Sequence, residues 1–144
     1  MGKKEITKIP IFGYFYKKNS IIVDRDKIRD SYAAFIEAGE KLDNGLNVCI
    51  FPEGEIPPSK IFLKKFKNGA FKLSIEKNIS IVPVTLLDNK THFPQEYYKG
   101  YPGIVRVKVH KPIKINEEEE KTIEMLNTSV YNTIFEQLKI YGSK

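Results

Sequence analysis

The sequence has little of several things that would place it at once. One cysteine, Cys49, stands among 144 residues, so no internal disulfide can form and the chain suits a reducing compartment. Set in the middle of an apolar run, Cys49 reads as a small core residue rather than a nucleophile. No long hydrophobic stretch exists. The longest, 79–87, contains Ser80, Pro83 and Thr85 and is too short to cross a bilayer. Lys3, Lys4, Glu5 and Lys8 interrupt any apolar segment of a secretory leader. Internal repeats are absent, as is any linker long enough to divide the chain. Histidine is limited to His92 and His110, and arginine to Arg25, Arg29 and Arg106, so the net charge of +6 is almost wholly lysine's. Such a balance favours anionic partners: phosphate esters, anionic lipid or nucleic acid. The basic residues are scattered and no recognition motif is present, so nucleic acid is not the expected partner.

What is there is the composition of a globular protein, 41% hydrophobic and 29% charged, at a length that suits one domain over 1–144. Residues 9–16 are aromatic-rich and closed by Lys17 and Lys18; they can lie at a membrane interface or pack on the core. A β-branched run at 20–23 predicts a first strand ending at Asp24-Arg25. Ile28, Tyr32, Phe35, Ile36, Gly39 and Leu42 then recur at helical spacing. Asp24 or Asp26 can cap that helix, and Asn44-Gly45 stops it.

Residues 48–51 predict a buried strand that Pro52 must end. Strand, helix and strand with short links make a βαβ unit, with parallel strands and a right-handed crossover. Asp24-Arg25 and Glu53-Gly54 are therefore expected to open onto one crevice at the carboxyl ends. A loop at 55–67 carries Lys60, Lys64, Lys65 and Lys67, and a helix over 68–77 with Ala70 and Leu73 inward stops at Asn78. The run 79–87 predicts a strand covered on both faces. Alternation at 104–110 predicts a half-exposed one, continued at 113–115. Asn116 with Glu119 is a capping box opening a last helix, so the glutamates at 117–120 are a helix start rather than a metal site. Its inner stripe is Ile123, Leu126, Val130, Ile134 and Leu138, and Gly142 closes it. The class is α/β, with a mostly parallel or mixed central sheet and flanking helices.

Chemistry concentrates at the two strand ends. The Arg25 guanidinium suits bidentate binding of phosphate, or a salt bridge with Asp24 or Glu53. Glu53 can orient a substrate hydroxyl, order Arg25, or do both. Gly54 lets a ligand approach the backbone and offers an N–H to an oxyanion. Lys64, Lys65 and Lys67 add positive potential.

Asn19-Ser20-Ile21-Ile22-Val23-Asp24-Arg25, Phe51-Pro52-Glu53-Gly54, Phe66-Lys67-Asn68-Gly69-Ala70-Phe71 and Ile81-Val82-Pro83-Val84 stand in the order and at the separations of the motifs of the glycerolipid acyltransferases. The chain resembles that family, the one acting on 1-acyl-glycerol-3-phosphate, over most of its length. The resemblance implies that Arg25, Glu53, Gly54 and Lys67 bind the glycerol phosphate, and that Pro83 and Val84 shape the pocket near the acyl chain. It implies a lysophospholipid acceptor, an acyl-carrier-protein or coenzyme A thioester as co-substrate, no other cofactor, and peripheral contact with the cytoplasmic face of a membrane. Two departures stand out. Glu55-Ile56-Pro57 replaces the usual polar continuation. The family's catalytic His-x-x-x-x-Asp, whose histidine is the general base, is missing. Tyr97 stands in the aspartate's place after His92 and Ile115 after His110. The chain is accordingly expected to be a part truncated before that motif, with turnover lower by about a hundredfold to ten-thousandfold. The other reading of the same scaffold is a non-catalytic module that binds phosphate or anionic lipid.

Overall fold

Residues 2–23, 28–55, 57–58, 61–94, 97–115 and 122–142 are described by a computed structural model. They fall into two units, Met1–Phe51 and Pro52–Lys144.

In the first unit, β1 (Gly2–Lys3) runs parallel to β2 (Ile22–Val23), with Gly2 opposite Ile22 and Lys3 opposite Val23. A short 3-10 turn (Lys4–Lys8) and helix α1 (Phe12–Asn19) lie between them in sequence. Helix α2 (Ile28–Asp43) packs against β2 and buries Ala34, Ala38 and Gly39. Its inner face is displaced from the expected stripe: Tyr32 is 67% exposed, and Ile36 is exposed as well. Gly39 is buried and Phe35 and Leu42 are half-buried as the stripe requires, while Ala34 and Ala38 take the inner positions in place of Tyr32 and Ile36. The helix ends as Asn44-Gly45 requires. Gly45 N–H donates to the Leu42 carbonyl at 2.9 Å and Leu46 N–H to the Lys41 carbonyl at 3.0 Å, with Gly45 at φ 77°.

The strand expected at 48–51 is not formed. Val48 and Ile50 are half-buried, while Asn47, Cys49 and Phe51 face solvent. A strand exists only as a pairing; the ladder of β2 is with β1, and none of the described strands includes 48–51. Cys49 is therefore exposed rather than a core residue. The capping aspartates Asp24 and Asp26 lie outside the described residues.

The second unit is built on α3 (Gly69–Glu76) and α5 (Ile123–Gly142). Phe71, only 1% exposed, meets Leu126, Val130 and Phe66, with Leu63, Ile81, Ile113 and Tyr131 packed around them. Asn78 leaves α3 in the left-handed region, φ 49°, the stop expected of it. Strand β3 (Val84–Leu86) pairs antiparallel with β4 (Val107–Val109), Val84 opposite Val109 and Leu86 opposite Val107. The short helix α4 (Asn89–His92) lies between them, and an Ile81–Ile113 bridge carries the pairing past Pro112.

The predicted strand at 79–87 is thus shorter, and it is one-sided. Thr85 points inward and meets His110 Nε2 at 2.9 Å, while Val84 is 44% exposed and Val107 and Val109 stand open with it. Helices and strands are mixed as the α/β class requires, but the described strands form two separate two-stranded sheets, one parallel and one antiparallel, rather than one central sheet. Thr122 Oγ1 accepts the Met125 N–H at 3.2 Å at the start of α5. The capping pair Asn116 and Glu119 lies outside the described residues. Leu126 and Val130 form the buried stripe, with Ile123 and Ile134 beside it.

The far end of α5 is tied to the sheet by Asp88, which is 4% exposed. Its carboxylate accepts from Tyr141 Oη at 2.7 Å, from the Arg106 main-chain N–H at 2.7 Å, and from the Arg106 Nε and Nη2 groups at 3.1 Å each. Those donors, Tyr141 first, hold Asp88 below the ordinary carboxylate value of 3.8. Its stabilising contribution is present above that value and lost only as pH falls through the lower folded one.

His110 acts sooner. Burial, then the charge of Lys108, pushes its imidazole below the ordinary 6.5. Between the two values the unfolded chain binds more protons, so stability falls as pH drops below about 6.5. Denaturant midpoints measured from neutrality to about pH 5 should therefore decline, and His110→Gln should flatten the decline. An unchanging midpoint in the parent chain would contradict this.

Candidate functional site

The Phe-Pro-Glu-Gly sequence ends in a turn that the chain closes with its own backbone. Lys67 N–H donates to the Pro52 carbonyl at 2.8 Å, and Lys64 N–H donates to Glu53 Oε2 at 2.9 Å. Lys64 Nζ pairs with Glu55. A carboxylate accepting a main-chain N–H is a charge-assisted bond, stronger than a neutral one. Glu53 is half-buried. Gly54 follows at φ 76°, and a Cβ there would lie 2.7 Å from Lys67 Cε and 3.0 Å from Lys67 Nζ. The Lys67 side chain therefore crosses directly over the Gly54 backbone, with its ammonium beside the turn. A cation, a carboxylate and a glycine backbone come together within one loop.

Lys67 is placed from both sides. Phe66 before it is in the core, its ring edge-on to Tyr131 at 5.1 Å between centroids. Asn68 after it accepts through Oδ1 from Asn127 Nδ2 at 2.7 Å, and the same Nδ2 reaches the Phe66 carbonyl at 3.1 Å. Asn127 and Tyr131 on α5 are positioning residues that sequence reasoning missed. Their only signal was adjacency to the apolar stripe at Leu126 and Val130. A depression of about 380 Å³ lined by Lys65, Phe66, Asn68, Glu124, Asn127, Thr128 and Tyr131 borders this anchor; Glu53 and Gly54 do not line it.

Of the other residues singled out, Pro83 is buried and its carbonyl accepts the His110 N–H at 3.0 Å. Val84 stands on the open apolar face of β3 and β4. Arg25 lies outside the described residues. Both histidines have partners of their own: His92 Nδ1–H donates to the Tyr101 carbonyl at 3.1 Å, and His110 is bound to Thr85. Among the described residues no group of His, Cys, Asp and Glu could hold a metal, and no helix is long and apolar enough to cross a membrane.

Residues 1–87, which include the Glu53-Gly54 turn and Lys67, match the family described as Acyltransferase. The chain belongs to the acyltransferase family. It is 27% identical to a 1-acyl-sn-glycerol-3-phosphate acyltransferase of Cocos nucifera, over 100% of this chain and 48% of that one. The corresponding enzyme of Saccharomyces cerevisiae is also 27% identical, over 98% of this chain and 48% of the relative. That of Borreliella burgdorferi is 26% identical over 96% and 56%. The fold is that of the 1-acyl-sn-glycerophosphate acyltransferase PlsC from Thermotoga maritima, with a TM-score of 0.79 at 24% identity, covering 99% of this chain and 56% of the crystal structure's. The chain spans about half the length of the relatives it matches.

The positive φ at Gly54 makes a sharp prediction. Gly54→Ala should cost about 1–2 kcal/mol in denaturant unfolding, and Gly54→Asn less, because asparagine tolerates the left-handed region while carrying the same Cβ. Equal costs would contradict the assigned backbone conformation.

Proposed function

We propose that this chain supplies the acceptor-binding part of an acyltransferase of phospholipid biosynthesis. The reaction moves a fatty acyl group from an acyl-carrier-protein or coenzyme A thioester to a 1-acyl-glycerol-3-phosphate at the cytoplasmic face of a membrane. The observation that carries this reading is the closed loop that brings Glu53, Gly54 and Lys67 together. Relatives whose names specify 1-acyl-sn-glycerol-3-phosphate support the choice of acceptor.

Each group has a chemical task. The Lys67 ammonium and the Gly54 N–H meet the acceptor's phosphate, a dianion that rewards a point charge and a main-chain donor. The remaining acceptor capacity of the Glu53 carboxylate orients a glycerol hydroxyl. Arg25 keeps the phosphate-binding role that the motif resemblance gives it. Val84 offers an acyl chain apolar surface, and buried Pro83 shapes the strand entry beneath. In the reaction the hydroxyl oxygen attacks the thioester carbonyl, the C–S bond breaks, and the hydroxyl proton passes through a general base to the departing thiolate. His92 is engaged with the Tyr101 carbonyl and His110 with Thr85, so the groups assigned a task here are those that bind.

Two measurements on the chain test this. Thiol release from palmitoyl-coenzyme A in the presence of 1-oleoyl-glycerol-3-phosphate should stay at background. Calorimetric titration of 1-oleoyl-glycerol-3-phosphate should show binding that Glu53→Ala and Lys67→Ala each weaken by about tenfold, the size of one charge-assisted hydrogen bond. Robust thiol release abolished by Glu53→Ala would place the base within this chain and overturn the purely binding role. Equal affinity for uncharged monooleoylglycerol would remove the phosphate site.

A further inference from the structure

In the first unit, exposed apolar side chains crowd into α1 and the residues just before it: Ile9, Ile11, Phe12, Tyr14 and Phe15 all stand open to solvent. The local fold turns them out. Gly13 is the buried residue of α1, so close to Thr7 that a Cβ would fall 2.2 Å from the Thr7 carbonyl oxygen. With the glycine facing in, the aromatic residues on either side face away. Ile11 is 82% exposed and sits at φ 63°, a region that β-branched residues avoid. The backbone thus holds its most exposed apolar side chain in a disfavoured conformation.

Every charged residue from Lys8 to Lys18 is a lysine. Exposed Lys17 and Lys18 close α1, exposed Lys8 precedes it, and no acidic residue lies within the helix. Lys18 Nζ rests 4.8 Å from the centroid of the Tyr14 ring. Phe12 stacks on Tyr16 at 5.7 Å, and Tyr14 meets Phe15 edge-on at 5.5 Å. Aromatic rings beside lysines are what a membrane surface selects, with rings at headgroup depth and ammonium groups among the lipid phosphates.

We infer that residues 9–18 form a docking face for anionic lipid, with Ile11, Phe12 and Phe15 inserted and Lys17 and Lys18 at the phosphates. A second copy of the chain fits less well. A two-fold contact sets the same patch against itself and would bring the lysine clusters together without neutralisation, whereas an anionic bilayer neutralises them. This deepens the acyl-transfer reading by naming the surface at which a lipid acceptor would be met. It is tested without turnover, so failure of either leaves the other standing.

Flotation of the full chain with vesicles of equal parts phosphatidylcholine and phosphatidylglycerol, against pure phosphatidylcholine vesicles, provides the test. The parent chain should float with the anionic vesicles and not with the neutral ones. Lys17→Gln with Lys18→Gln should weaken binding by about fivefold per lysine. Phe12→Ser with Phe15→Ser should abolish it with the far-UV circular dichroism unchanged. Ile11→Gly relieves the positive φ, so it should hold or raise the denaturant midpoint while lowering vesicle binding severalfold. Equal flotation with neutral vesicles, or binding unaltered by the aromatic pair and by Ile11→Gly, would overturn the inference. So would a dimer in sedimentation that the aromatic pair breaks while vesicle binding persists.

Discussion

The hydrogen bond from Lys67 N–H to the Pro52 carbonyl, 2.8 Å long, is the contact on which the candidate site depends. It fixes where the Glu-Gly turn stands relative to the helical core of the second unit. Phe66 is locked against Tyr131 and Asn68 is held by Asn127, so the backbone of Lys67 can occupy only one place. Glu53, reaching back to Lys64 N–H, adds a second tie eleven residues apart in sequence. A neutral main-chain bond contributes about 1 kcal/mol and a bond to a carboxylate about 1.5–3 kcal/mol. Against these stand the several kcal/mol held in burial of Phe71, Leu126 and Val130, at about 1.5–3 kcal/mol for each large side chain. The turn is therefore the weaker layer, held in place by the packed helices it is tied to.

How much of this was legible in the residues varies with the kind of interaction. Features set by local chain chemistry came through: the Asn44-Gly45 stop with Gly45 at positive φ, the left-handed Asn78, and the stripe of Leu126 and Val130. The Phe51-Pro52-Glu53-Gly54 sequence marked the turn, and Lys67 was grouped with it. Features that depend on a partner did not come through. The run at 48–51 has strand composition, yet strand status requires a ladder, and β2 pairs with Gly2–Lys3. Tyr32 and Ile36 fit a helical stripe by spacing, but Ala34 and Ala38 take the buried face beside Phe35, Gly39 and Leu42.

The partner of Glu53 was invisible for a simpler reason. A main-chain N–H belongs to every residue but proline, so nothing in the side chain of Lys64 marks it as the donor. Asn127 and Tyr131 were hidden similarly, since a helix position beside an apolar stripe carries no sign of which loop it will hold. Motif resemblance supplied chemistry that spacing alone left open. The geometry then showed why the lysine of the Phe-Lys-x-Gly stretch belongs with the Glu-Gly turn: its stem lies across the glycine.

In the proposed function, a carboxylate fixed by a backbone donor, a glycine at positive φ and the ammonium laid over it take up a phosphate ester. Titration of the ¹⁵N-labelled chain with glycerol 3-phosphate, followed by amide spectra, tests that claim most directly. The account predicts saturable shifts at Gly54, Lys64 and Lys67, with Phe71 in the core unmoved. Shifts that bypass Gly54 and Lys64, or that glycerol without phosphate reproduces, would contradict it.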